Sequence, residues 1–111
     1  MKKAQSAIRK AAVLNIAGLI KHQKGTIVSR TILEGKSGSI TAFAFDKGQK
    51  LSEHTAPFDA LVLVLDGEAK ITISENTLTV KKGEMVVMPA NKPHRLQAVM
   101  KFKMMLVMIK S

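Results

Sequence analysis

Two histidines, His54 and His94, stand in segments whose spacing could aim both at one point. Gly48 is followed by five residues, then His54-Thr55-Ala56, then Ala60, then six residues to Gly67. Gly83 is followed by five residues, then Pro89-Ala90-Asn91, two more residues and His94. Neutral imidazole donates at one ring nitrogen and accepts, or ligates a metal, at the other. It also titrates near neutral pH, so a convergent pair could anchor a small polar molecule or move a proton. The chain has no cysteine, which excludes disulfides, thiolate metal sites and a Cys nucleophile. No phosphate loop precedes a helix, and no G-x-S-x-G or zincin helix appears. Gly35-Lys36-Ser37-Gly38-Ser39 reads as a hairpin turn.

The two spaced segments resemble the motifs of the cupin superfamily across about residues 26–109. The first cupin motif supplies His-x-His and, a few residues on, a Glu; the second supplies one His. The resemblance implies a jelly-roll β-barrel in which three His and one carboxylate hold a divalent ion. Here His54 matches the first ligand and His94 the last. Ala56 stands at the second His position, Ala60 at the Glu position, Asn91 at the second motif's second glycine and Ala98 at its final Asn. Two imidazoles are fewer ligands than zinc, iron or manganese sites normally use. The expectation is a weakly bound divalent metal on His54 and His94.

Three neighbours could complete such a set. Asp59 is one residue from the Glu position and needs a bulge after Pro57 to face inward. Glu53 should face outward by alternation. His22 could cover a barrel mouth. Without them, the reading is a ligand pocket made of His54, His94, Ala56, Ala60 and Leu96. Ala56 and Ala60 leave room there for a small polar molecule. The six methionines from Met85 to Met108 read as apolar fill.

The elements that must position these residues read as strands. Thr26–Leu33 is rich in β-branched residues. Ile40–Phe45 alternates Thr41/Phe43/Phe45 against Ile40/Ala42/Ala44. Ala60–Leu65 is a continuous apolar run, as for a strand buried on both faces, and Asp66-Gly67 reads as its hairpin turn. His54 should open the region leading into that run. Ala69–Ile73, Thr77–Val80, Met85–Met88, His94–Val99 and Phe102–Ile109 follow, separated by glycine or polar turns. Strands at this spacing mean a sandwich or barrel. The fold class is therefore all-β, a cupin jelly-roll β-barrel (double-stranded β-helix) with a short N-terminal extension. Residues 1–12 form a basic tail or short helix, and residues 13–111 one cupin domain. Val13–Ile16 reads as an edge strand and Ala17–His22 as a helical turn.

At 111 residues with 46% hydrophobic content, the chain supports one modest core. Its net charge of +10 favours anionic partners. The lysines are scattered, however, and the only aromatics are four Phe, so no specific nucleic-acid partner is expected. The apolar stretch from Ala11 to Ile20 is too short to span a bilayer, and no cleavage site follows it. The expectation is a cytoplasmic protein with no membrane partner. It should pair as a homodimer, as the resemblance to free-standing cupins implies.

Three functions follow. The leading one is a barrel that binds a small molecule beside His54 and His94. The second is a metal-dependent dioxygenase or isomerase with a reduced ligand set. The third is a sensor or regulatory module that meets an anionic partner. Elemental analysis separates the first two, and salt-dependent binding to polyanions raises the third.

Overall fold

The computed structural model describes residues 1–3 and 7–110. The strands are β1 (Lys2–Lys3), β2 (Ile27–Gly35), β3 (Gly38–Phe45), β4 (Lys50–His54), β5 (Ala60–Asp66), β6 (Glu68–Ile73), β7 (Asn76–Lys81), β8 (Met85–Met88), β9 (His94–Gln97) and β10 (Phe102–Ile109). They form a six-stranded sheet, ordered β1-β2-β3-β10-β5-β8, and a four-stranded sheet, ordered β4-β9-β6-β7. All pairings are antiparallel except β1 with β2. Among the described residues no helix is long and apolar enough to cross a membrane.

Strand alternation builds the core between the sheets. On β3, Phe43 and Phe45 face inward, while Ala42 and Ala44 face the other way. The inward set meets Val62 and Val64 of β5, Ala69 and Ile71 of β6, Leu96 of β9, and Phe102 and Met104 of β10. Phe45 and Phe102 stack with ring centroids 4.5 Å apart and planes 17° from parallel. Each of the larger buried side chains (Val, Ile, Leu, Phe and Met) contributes roughly 1.5–3 kcal/mol of transfer free energy. Outside the six-stranded sheet, Ile20 lies on Val28, Ala42 and Ala44, so the N-terminal segment covers that corner.

The N-terminal segment departs from the sequence reading. Val13–Ile16 forms no strand, and Val13 is fully exposed. A 3-10 turn at Ile16–Gly18, capped by the Asn15 side chain, stands where the helical turn was expected. Within the tail, Lys2–Lys3 adds a short parallel edge to β2; residues 4–6 lie outside the described residues.

Two expectations around β5 also change. The strand is buried on one face only: Ala60, Val62 and Val64 are buried, while Leu61, Leu63 and Leu65 are half-buried. Asp66-Gly67 is not a hairpin turn, because β5 and β6 belong to different sheets. Gly67 carries the chain across that corner with φ +70°, and a Cβ there would stand 2.6 Å from the Lys101 carbonyl oxygen. Both the backbone angle and the close approach call for glycine.

Candidate functional site

Strand β4 was not anticipated. Its five residues are polar apart from Leu51, so no alternation marks it in the sequence. It pairs with β9 through Lys50 with Gln97, Leu51 with Leu96, and His54 with His94. From Leu51 to His54 is three steps, whereas from Leu96 to His94 is two. β4 thus holds one extra residue, a β-bulge. A regular strand would set Glu53 opposite His94. The bulge sets His54 there instead and leaves Glu53 outside, 3.7 Å from Arg95 in an exposed ion pair. His54 therefore closes β4 rather than opening the approach to β5.

The two imidazoles meet directly. Their Nε2 atoms are 3.0 Å apart, and the rings stand edge to face with centroids 4.3 Å apart at 72°. His94 is buried and His54 is exposed. The tautomers follow from the surrounding groups. His54 Nδ1 lies 3.0 Å from the carbonyl oxygen of Ser52. A carbonyl only accepts, so Nδ1 carries the proton and a neutral His54 presents a lone pair at Nε2. His94 Nε2–H then donates to it. That leaves His94 Nδ1 bare, and this atom is buried without a hydrogen-bond partner. Burial pushes the His94 pKa down, the neighbouring His54 pushes the same way, and the Lys92 backbone beside the ring opposes them.

A cavity of about 50 Å³ opens beside the pair. His54, His94, Ala56, Ala60 and Leu96 all line it, so the five residues of the expected pocket do come together. Leu51, Met88, Met104, Leu106 and Met108 complete the wall. Met88 and Met104 are buried, and their place on this wall was not foreseen. The inward set of β10 (Met104, Leu106, Met108) was legible only once its pairing with β5 fixed which face is inside.

The three proposed substitute ligands do not line this cavity. Asp59 Oδ1 accepts the Ala90 N–H at 2.8 Å and is committed to the loop before β9. Glu53 is turned out by the bulge. His22 is influenced by Lys103, Lys101, Asp46 and Asp66, away from the pair; burial and the two lysines push its pKa down. Among the described residues no group of three or more His, Cys, Asp or Glu side chains is placed to hold a metal. The His54–His94 pair with Ala56 and Ala60 beside it does not fit a divalent ion that needs three imidazoles and a carboxylate.

The loop that presents His94 is pinned by its backbone. Asn91 has φ +63°, and its N–H donates to the Ala56 carbonyl at 2.7 Å. A left-handed residue is needed here, and after glycine, asparagine tolerates it best. That explains how Asn91 stands where the resembling motif has glycine.

The jelly-roll arrangement, with an imidazole from each of two glycine-bounded motifs, defines a cupin barrel. The sequence pattern described as the cupin domain matches residues 42–110, more than half of the chain. The chain belongs to the cupin family. It is similar over its length to a conserved protein of unknown function from Streptococcus pyogenes. That likeness is 40% identity over 97% of each chain, with a TM-score of 0.89. A cupin 2 conserved barrel domain protein from Leptotrichia buccalis is 42% identical over 87% of this chain, with a TM-score of 0.85; the match spans 47% of that chain. A cupin superfamily protein from Desulfitobacterium hafniense is 25% identical over 96% of this chain and 97% of its own, with a TM-score of 0.89. No curated protein matches the chain.

Proposed function

We propose that the barrel binds a small polar molecule, with His54 and His94 as its polar anchor. The observation that supports this is the direct Nε2–Nε2 contact at the edge of an otherwise apolar cavity. The pair offers one N–H and one lone pair side by side. A single hydroxyl group answers both, accepting from His94 and donating to His54. To admit it, the rings must part by roughly 1.5 Å, since each new hydrogen bond spans about 2.8 Å. The exposed His54 ring is the one free to swing. A cavity of about 50 Å³ limits the body of the ligand to a few heavy atoms.

Titration of ¹⁵N-labelled protein with short aliphatic alcohols tests this reading. The Nε2 resonances of both histidines should move together and saturate. Alcohols that shift neither resonance at millimolar concentration would sink it.

The same proposal extends to a second copy of the chain as partner. On the outer face of the six-stranded sheet, Leu61 and Leu63 of β5 lie between Met105 and Val107 of β10 and Met85 and Val87 of β8. Met85 and Val87 are 55% and 46% exposed, and the other four are half-buried. Contiguous apolar faces of this kind mark association sites. No charged side chain stands among these six, so two chains that each carry +10 can meet here without opposing lysines at the centre.

A further inference from the structure

We propose that the nook between the N-terminal segment and β2 binds the phosphate group of a small organic phosphate, gripped by Arg30 with Lys3 and Lys21 beside it. None of the residues that line this nook lines the histidine cavity, so the two sites stand or fall separately.

The charge of the chain is unevenly placed. The lysines are spread along the sequence, but the acids are not: the first is Glu34. Residues 1–33 hold seven Lys and Arg, from Lys2 to Arg30, and no Asp or Glu, so they carry +7 of the net +10. β1 and β2, which belong to this stretch, form one edge of the six-stranded sheet. A concave surface lined by one sign of charge concentrates counter-ions.

Such a surface is present. A cavity of about 280 Å³ is lined by Lys3, Lys21 and Arg30 and by Leu19, Ile20 and Val28, with no carboxylate on its wall. Lys3 and Lys21 are exposed, so their ammonium groups are free to turn toward an occupant. Arg30 is half-buried. Its Nη1 donates to the Leu19 carbonyl at 2.9 Å, which fixes the guanidinium. Its Nη2 reaches the Ala7 carbonyl only at 3.4 Å, and its Nε–H is buried with no hydrogen-bond partner. Among the described residues the one ion pair is Arg95 with Glu53, so no carboxylate neutralises Arg30. Buried charges are normally paired and buried donors normally bonded. This side chain breaks both rules at once.

The geometry of guanidinium says what would answer it. Nε–H and the adjacent Nη2–H form one edge, two parallel donors spaced for two oxygens of a single anionic group. That edge is the poorly satisfied one, and an anion that takes it displaces only the long Ala7 contact. Three cations without an acid favour a dianion over a monoanion. A phosphate monoester carries close to two negative charges at neutral pH and keeps a third oxygen for the lysines. The volume stands near the lower end of small-molecule pockets, about 300 Å³, and Leu19, Ile20 and Val28 give it an apolar side. The phosphate should therefore carry a small organic body.

The test uses the intact chain without a His tag, with phenyl phosphate as probe. The chain has only three arginines, so their Nε–H signals can be assigned one by one in a ¹H–¹⁵N spectrum. The Arg30 signal should move, saturate and exchange more slowly with water, while those of Arg9 and Arg95 stay in place. Phenylacetate, with the same ring and one charge, should bind about tenfold more weakly. Arg30→Lys keeps the charge but loses the fork, and should weaken phenyl phosphate about tenfold. Lys3→Gln with Lys21→Gln, both at exposed positions, should weaken it to a similar degree with the circular dichroism spectrum unchanged, which decides the matter even if Arg30→Lys fails to fold. Lys36→Gln with Lys110→Gln removes the same charge elsewhere and should change the affinity less than about twofold. Phosphatidylcholine vesicles with about 20% phosphatidic acid separate two sources of the group. Sedimentation with them that Arg30→Lys abolishes assigns the phosphate to a lipid headgroup; binding of the soluble ester alone assigns it to a free ester. An Arg30 signal moved by neither phenyl phosphate nor vesicles, equal affinity for phenylacetate, or equal losses in the two double-glutamine variants would overturn the proposal.

Discussion

Asp59 reaches across to the loop before β9 and accepts the backbone N–H of Ala90 through Oδ1 at 2.8 Å. Asp59 lies within the first motif and Ala90 within the second, so the bond fastens the two motifs together beside the histidines. The Asn91 N–H to Ala56 carbonyl bond does the same one residue on. A carboxylate that sequence position offers to a metal is thus spent on holding the histidine loop.

Removing that fastening should loosen His94. Asp59→Ala is expected to cost about 1 kcal/mol in urea unfolding, the usual worth of one hydrogen bond. Asp59→Asn keeps an acceptor and should lose less. Equal losses in the two variants would show that the Ala90 bond contributes nothing.

The left-handed backbone at position 91 predicts an ordered series. Asn91→Gly should stay within about 0.5 kcal/mol of the parent, because glycine fits the angle but adds freedom to the unfolded chain. Asn91→Val should cost about 1–2 kcal/mol, the penalty for a side chain that resists positive φ. Thermal melts of the three proteins give the order directly, and a valine variant as stable as the parent would contradict it.

Acid should weaken the fold in two stages. His94 and His22 both have pKa values below the ordinary 6.5, chiefly through burial. The folded chain then binds fewer protons there than the unfolded chain. Their contribution is complete above pH 6.5 and is lost as pH falls through the depressed values. Asp46 behaves alike at lower pH: the N–H groups of Gly25 and Lys47 hold its carboxyl below the ordinary 3.8. Its contribution is present above pH 3.8 and is lost below it. Urea midpoints should therefore fall from pH 7 to 5 and again below pH 4. His94→Gln should flatten the upper stage, and a profile level between pH 7 and 5 would refute the assignment.

Restoring the missing ligands should restore hard-metal binding. Ala56 and Ala60 line the cavity with both histidines. Ala56→His together with Ala60→Glu is expected to raise Zn(II) or Mn(II) affinity by 100-fold or more by calorimetry, since each ligand donates and preorganises. Ala60 is only 5% exposed, so circular dichroism must first show the fold intact. A folded double variant that binds no better than the parent would mean the two positions do not face the histidines.

The outer face of β5 should govern association. Leu63→Lys places a charge at the centre of the apolar face and should give monomers in analytical ultracentrifugation, with the melt little changed. Association of the parent should tighten with added salt, because salt screens the repulsion between like-charged copies. A parent that sediments as a monomer at high micromolar concentration would end the proposal.

The sequence was legible where strands alternate. Phe43/Phe45 against Ala42/Ala44, and His94/Leu96/Ala98 against Arg95/Gln97, separate in the structure as their spacing predicts. It was illegible where register carries the information. β4 holds one apolar residue in five and gave no periodic signal. Its bulge falls between Leu51 and His54, whereas the one considered lay after Pro57. The apolar run of β5 cannot say whether its second face meets the same chain. The corner at Gly67 looks like a hairpin because glycine serves both, and only the sheet assignment separates them.

The bulge in β4 has a consequence for how such a site changes. Glu53 and His54 are neighbours on one strand, and the placement of a single extra residue decides which of them faces His94. Displaced beyond position 54, it would turn the imidazole outward and bring a carboxylate in, making a negatively charged pair with a different appetite for ions and protons. The chemistry at this point is written in chain length as much as in side-chain identity. A slip of one residue in a short polar strand can exchange one donor set for another with no residue substituted.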